Sequence, residues 1–165
     1  MLGISMVKIV IFSDSHGSYD EMETVLKKEN PDMVFFLGDG ERDIEYLQYI
    51  YEDLKVLAVR GNCDLFSELP VFLDCTVQGV RIFATHGHLY EVKHDRSLSV
   101  LKREGRKCSA DVILFGHTHE PYYEVNNGII LLNPGTIGEG SSLSYGVLQI
   151  EDGTARGKIK SVKTE

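Results

Sequence analysis

Apolar runs rich in β-branched residues recur along the chain, bounded by turn residues: Val7–Phe12, Met33–Leu37, Val56–Val59, Val80–Thr85 and Asp111–Phe115. Continuous apolar runs of this length predict buried strands. Segments with helical spacing lie between some of them. Asp20–Lys28 gathers Met22, Val25 and Leu26 on one side, and Asp43–Tyr51 gathers Ile44, Leu47 and Ile50. Asp95–Lys107 carries Leu98 and Leu101 and ends in basic residues, which suit the negative end of a helix dipole. Strand alternating with helix predicts a parallel sheet with βαβ crossovers. Later in the chain, Asn127-Gly128 and Asp152-Gly153 each separate two extended runs, and Gln78-Gly79 separates Val71–Val77 from Val80–Thr85. These pairs predict hairpins, because glycine accepts the positive φ of a two-residue turn. The second half is therefore expected to add an antiparallel part. The expected architecture is α/β, with two sheets and helices outside them.

Composition narrows this picture only a little. The length of 165 residues fits a single domain over 1–165, and no repeat, low-complexity tract or Pro/Gly-rich linker marks a boundary. A net charge of −8 repels a nucleic-acid backbone, so no stable nucleic-acid complex is expected. Bound cations would offset part of that charge. No run approaches membrane-spanning length, and the start lacks a signal-peptide pattern. Cys63, Cys75 and Cys108 are odd in number and far apart, which suits a reducing cytoplasm. Cys75 and Cys108 read as small buried apolar residues. Met6 is an alternative start, with residues 1–6 outside the folded part.

The chemistry sits where strands are expected to end. Val7–Phe12 runs into Asp14-Ser15-His16, Met33–Leu37 into Gly38-Asp39-Gly40, and Val56–Val59 into Gly61-Asn62-Cys63-Asp64. Val80–Thr85 runs into His86-Gly87-His88, and Asp111–Phe115 into Gly116-His117-Thr118-His119. Ligands of open α/β sheets bind outside the carboxyl ends of strands. Residues i and i+2 of extended chain point the same way, so Asp14 with His16, and His117 with His119, can converge. Only His94, of six histidines, lies outside these motifs. Taken singly, each motif is ordinary: Gly-Asp and Gly-Asn are turn sequences, and Asp-x-His is often a cap or a polar loop pair. Jointly they supply Asp14, His16, Asp39, Asn62, His86, His117 and His119. These seven donors are too many for one tetrahedral ion and suit two ions that share a carboxylate. A mixed nitrogen and oxygen set favours Mn²⁺, with Ni²⁺, Zn²⁺, Fe or Co²⁺ as alternatives.

These residues, in this order, resemble the calcineurin-like metallophosphoesterase superfamily, over about Val7 to Thr136. The short length, Gly116-His117-Thr118-His119 and the following Asn133-Pro134-Gly135-Thr136 look most like its small bacterial and archaeal phosphodiesterase branch. The resemblance implies a four-layer α/β/β/α sandwich with two mixed β-sheets, the metallo-dependent phosphatase fold. It implies Asp14, His16 and His119 on a first ion, Asn62, His86 and His117 on a second, and Asp39 bridging them. It implies hydrolysis of small phosphate esters by in-line attack of a metal-bridging hydroxide, and a homodimer or homotetramer.

Many members carry histidine where this chain has Cys63, a poorer acid for a leaving oxygen. His88 is a substitute acid or phosphate contact, or else a structural histidine. Asp64 is an orienting group or a turn cap, Arg42 a phosphate contact or a solvated charge. Asn133–Thr136 reads as a structural turn near the rim, and Tyr46, Tyr49 and Tyr51 as packing. Two rivals to a phosphodiesterase remain: a phosphomonoesterase, including a phosphoprotein phosphatase, and a non-catalytic scaffold like the retromer sorting subunit.

Overall fold

The computed structural model describes residues 5–163; of the alternative start considered for residues 1–6, positions 1–4 lie outside them. Ten strands and three helices follow in the order β1 (Val7–Phe12), α1 (Tyr19–Glu29), β2 (Met33–Phe36), α2 (Glu41–Ile50), β3 (Val56–Ala58), β4 (Phe72–Val77), β5 (Val80–Thr85), α3 (Ser99–Lys107), β6 (Val112–Leu114), β7 (Pro121–Asn126), β8 (Ile129–Pro134), β9 (Ser144–Glu151) and β10 (Thr154–Ser161). They form two five-stranded sheets, ordered β10-β9-β1-β2-β3 and β4-β5-β6-β8-β7. The centres are parallel: β1 with β2 and β3, and β5 with β6 and β8. Three hairpins close at Gln78-Gly79, Asn127-Gly128 and Asp152-Gly153, where both residues of each pair have positive φ.

The hairpin-rich second half supplies the antiparallel pairing, as expected. That pairing is shared between the sheets, with β9 and β10 extending the first while β4 and β7 edge the second. Strand β8, reached through a hairpin, docks parallel to β6.

Apolar side chains on alternate faces of these strands make four layers. Ile11, Phe35 and Leu37 of the first sheet meet Ile82, Ala84 and Leu114 of the second, all fully buried. On the outer face of the first sheet, Phe12 and Val34 pack under Met22 of α1 and Ile44 and Leu47 of α2. On the outer face of the second, Phe83 and Ile113 pack under Leu101 of α3. Burying each such side chain stabilises by about 1.5–3 kcal/mol, so the stacked layers set the sheet positions firmly.

Three expectations are corrected. Helix α3 begins at Ser99, not Asp95, because the Asp95 carboxylate accepts the backbone N–H groups of Ser97 and Ser99 and holds that stretch as a turn. Cys75 and Cys108 are half-buried at the margins of the core rather than buried. Of the tyrosines, Tyr51 packs against the core while its hydroxyl donates to Glu23 (2.9 Å). Tyr46 meets Tyr19 at 4.6 Å, whereas Tyr49 is 82% exposed and does not pack.

Glu29, buried at the end of α1, ties that helix to the first sheet. It accepts from Tyr145 Oη (2.7 Å) and Lys160 Nζ (2.7 Å), and pairs with Lys8 Nζ (2.6 Å). Burial alone would raise its pKa, but the two lysines and the tyrosine hydroxyl bring it down to about 2 from an ordinary 4.5. A lowered carboxylate pKa contributes stability above pH 4.5, and that contribution is lost as pH falls through about 2. The linkage is worth on the order of 3 kcal/mol. In unfolding free energies measured from pH 6 to pH 2, the gap between wild type and Glu29→Gln should close across that window. Parallel curves would remove this role from Glu29.

Candidate metal centre

The carboxyl ends of β1, β2, β3, β5 and β6 deliver the motif loops to one rim, and all seven candidate ligands stand there. Five of them adopt left-handed backbone: Asp14 (φ 57°), His16 (42°), Asp39 (60°), His117 (69°) and His119 (62°). Each such conformation costs on the order of 1 kcal/mol or more for a residue with a side chain. The turns also need glycine where loops touch. A Cβ on Gly61 would lie 2.0 Å from Asp39 Oδ1, and one on Gly38 would lie 2.4 Å from the Gly61 nitrogen.

The side chains form two groups, Asp14 with His16 and His119, and Asp39 with His86 and His117; within each, the donor atoms lie within 4.8 Å of one another. Asp14 Oδ1 is 3.8 Å from His16 Nε2 and 3.1 Å from His119 Nε2. In the second group His86 Nδ1 lies 2.7 Å from the Leu37 carbonyl oxygen, to which it donates, and this bond points Nε2 into the site. That nitrogen faces Asn62 Oδ1 at 3.0 Å and Asp39 Oδ2 at 3.3 Å. Asp39 Oδ2 is also 3.9 Å from His16 Nε2, so one carboxylate oxygen stands between the two groups.

Both aspartates are anchored by one oxygen and present the other. Asp14 Oδ2 accepts from Ser13 Oγ (2.5 Å) and the His117 N–H (3.2 Å), while its buried Oδ1 accepts no hydrogen bond. Asp39 Oδ1 accepts the Cys63 N–H (2.8 Å), leaving Oδ2 to the histidines. Burial pushes Asp39 toward the protonated form, but His86 and the Cys63 amide outweigh it and hold the carboxyl well below its usual range. Burial, helped by neighbouring His86 and Lys93, pushes His117 down to about 4 and keeps its imidazole neutral. A buried carboxylate oxygen without a donor is costly. Carboxylate oxygens converging with imidazole nitrogens are a set that a divalent transition-metal ion would satisfy.

Comparison with known proteins gives the family. Residues 7–153 match the model of the calcineurin-like phosphoesterase superfamily domain. The chain belongs to that superfamily. It is 31% identical to the phosphodiesterase YfcE of Escherichia coli over 170 residues, covering 87% of this chain and 88% of that one. A predicted phosphoesterase of Streptococcus pneumoniae superposes with TM-score 0.81 at 27% identity, covering 99% of this chain and 94% of that one. Vacuolar protein sorting 29 of Cryptosporidium parvum shares the fold alone, with TM-score 0.74 at 18% identity over 94% and 97% of the two chains.

Polar struts hold the phosphoesterase rim in its strained shape. The Asp64 carboxylate accepts the backbone N–H groups of Asp39 (2.8 Å), Gly40 (2.9 Å), Glu41 (3.1 Å) and Gly61 (2.8 Å). It thus sits on the amino end of α2, where the dipole favours an anion, and locks the Asp39 loop to the Asn62 loop. With both oxygens engaged by amides, Asp64 is a positioning residue, the orienting role weighed against a turn cap from the sequence. Asp43 does the same for the first motif, taking Ser15 Oγ (2.5 Å) and the Gly17 N–H (2.8 Å). The Asn133–Thr136 turn is structural: Asn133 Nδ2 donates to the Gly116 carbonyl (3.1 Å), and Thr136 Oγ1 donates to the Asp14 carbonyl (2.8 Å).

Cys63 and His88 do not make a strong acid. Burial, with the charges of Asp39, Asp64 and Asp14, pushes the Cys63 thiol up. His88 lies 5.4 Å ring to ring from His86 and 6.1 Å from His117, and its buried Nδ1 has no hydrogen-bond partner. Burial and His86 push its pKa down. Arg42 is exposed on the wall of the cleft over the site.

Sequence patterns missed Glu139. Its two oxygens lie 3.8 Å from His16 Nδ1 and 3.5 Å from His119 Nδ1, on the ring edges away from Asp14. A carboxylate there favours ring orientations that point both Nε2 atoms inward. Glu139→Gln should weaken the first ion about tenfold, read by calorimetric Mn²⁺ titration, without changing the circular dichroism spectrum. Unchanged Mn²⁺ affinity would leave Glu139 a surface charge.

Proposed function

We propose that this metallophosphoesterase is a phosphodiesterase that works with two divalent transition-metal ions, manganese first among the candidates. The observation that carries this reading is Asp39 Oδ2, poised between two donor groups while its partner oxygen is tied to the Cys63 amide. Asp14, His16 and His119 would hold one ion with Asp39; Asn62, His86 and His117 would hold the other. Such ions, when bound, supply Lewis acidity toward phosphoryl oxygens and an activated water.

The chain's own residues shape the rest. Glu41 and Glu45 line the cleft and oppose a dianionic monoester more than a monoanionic diester. The name of the Escherichia coli relative leans the same way. With a raised Cys63 thiol and a neutral His88, esters with good leaving groups are favoured. Three free cysteines support a reducing cytoplasmic setting. Among the described residues, no helix is long and apolar enough to cross a membrane.

The scaffold reading has a likeness in fold and part of the sequence to vacuolar protein sorting 29 behind it, and a complete donor set at all seven positions favours the enzyme. Paired assays on a diester and a monoester of one phenol, titrated with Mn²⁺, Ni²⁺, Zn²⁺ and Mg²⁺, separate these readings. The diester should turn over faster. A faster monoester would reassign the enzyme, and tight metal binding without turnover would make it a scaffold.

A further inference from the structure

The loop after β3 holds two large apolar side chains in water beside the candidate metal centre. Leu65 is 77% exposed and Phe66 is 100% exposed. Phe66 adopts φ +64°, a conformation that costs a bulky residue and persists only where its surroundings impose it. Those surroundings are firm. The loop closes at its neck through Arg60 N–H to the Pro70 carbonyl (3.0 Å). Leu65 N–H donates to the Cys63 carbonyl (3.0 Å), and Ser67 N–H to the Asp64 carbonyl (3.3 Å). Asp64, through its four amide bonds, fixes the root of the loop to Asp39 itself. The backbone that carries the two apolar side chains therefore keeps a set position relative to the metal donors.

Leu65 and Phe66 form one wall of a cleft of about 730 Å³, with His16, Asp39 and Cys63 also lining it. The start of α2, with Glu41, Arg42 and Glu45, also lines it. The cleft is thus polar and donor-rich where phosphorus would sit, and apolar at its lip. Excess acid on the α2 side disfavours a substituent that carries a second phosphate.

Building on the phosphodiesterase reading, we propose that Phe66, backed by Leu65, is a stacking platform for a planar aromatic substituent of the diester, such as a nucleobase, with no further phosphate attached. An aromatic face accepts any base without demanding matched hydrogen bonds, and stacking of this kind is lost on truncation to alanine.

The test compares two diesters sharing a 4-nitrophenyl leaving group, one with a methyl and one with a nucleoside as the other ester group. Sharing the leaving group holds the chemistry constant. Wild type should favour the nucleoside ester in kcat/KM, chiefly through KM. Phe66→Ala should cut that preference about tenfold while leaving the methyl ester near its wild-type rate. Phe66→Trp should keep the preference, and circular dichroism should show both variants folded. An unchanged ratio of the two esters in Phe66→Ala overturns the platform. If the ratio is unchanged and the variant instead loses self-association in sedimentation, the lip belongs to a second copy and the proposal also falls. Absence of turnover on either ester by wild type would defeat the phosphodiesterase reading itself, which is a distinct result.

Discussion

Asp39→Asn should reduce phosphodiester hydrolysis on the order of a thousandfold or more, while the protein stays folded. The amide is nearly isosteric, so the oxygen that accepts the Cys63 N–H can be kept. What changes is the other atom, which faces His86 Nε2 at 3.3 Å and His16 Nε2 at 3.9 Å. There the substitution removes the negative charge that two cations would share. Charge stabilisation by bound ions is worth several kcal/mol in the transition state, and each 1.36 kcal/mol is tenfold in rate. Metal content should fall below two ions per chain by mass spectrometry of the purified variant. Wild-type turnover in Asp39→Asn would remove Asp39 from the centre of this account.

Asp64→Ala should do comparable damage without touching any candidate ligand. It strips the acceptor from four backbone N–H groups in two loops. Each donor left without a partner costs about 1–3 kcal/mol when buried, and water can reach part of this cluster. A net loss of about 3 kcal/mol in unfolding free energy is expected, together with weaker metal binding, because the left-handed Asp39 loses the bond to its own N–H that supports it. Asp64→Asn, keeping one acceptor oxygen, should fall between. Chemical denaturation and Mn²⁺ titration on the same samples check both parts. Full stability with full Mn²⁺ affinity in Asp64→Ala would show that the strut is dispensable.

The two effects separate what was legible in the sequence from what was not. Asp14, His16, Asp39, His86, His117 and His119 could be read because each follows an apolar run and stands beside or near glycine, a pattern carried by local chain chemistry. The sheets were legible for the same reason, and the three hairpins because each turn needs two positive φ angles. The struts were legible only in part. Asp64 was expected as an orienting group or a turn cap, but its partners and those of Asp43 lie in loops distant in sequence, and nothing in their immediate neighbours marks them. Asp43 looked only like the start of a helix. Glu139 lies twenty residues beyond His119 in a loop without periodicity, and its role depends on the return of the chain past Thr136. The parallel docking of β8 likewise depends on sheet packing, since a hairpin alone would not say which strand lies on its other side.

Anomalous diffraction from crystals grown with Mn²⁺ addresses the central claim most directly. Two peaks should appear about 3.5–4 Å apart, one among Asp14, His16 and His119, the other among Asn62, His86 and His117, with Asp39 Oδ2 bound to both. A single peak, or two peaks with Asp39 on only one of them, would contradict it.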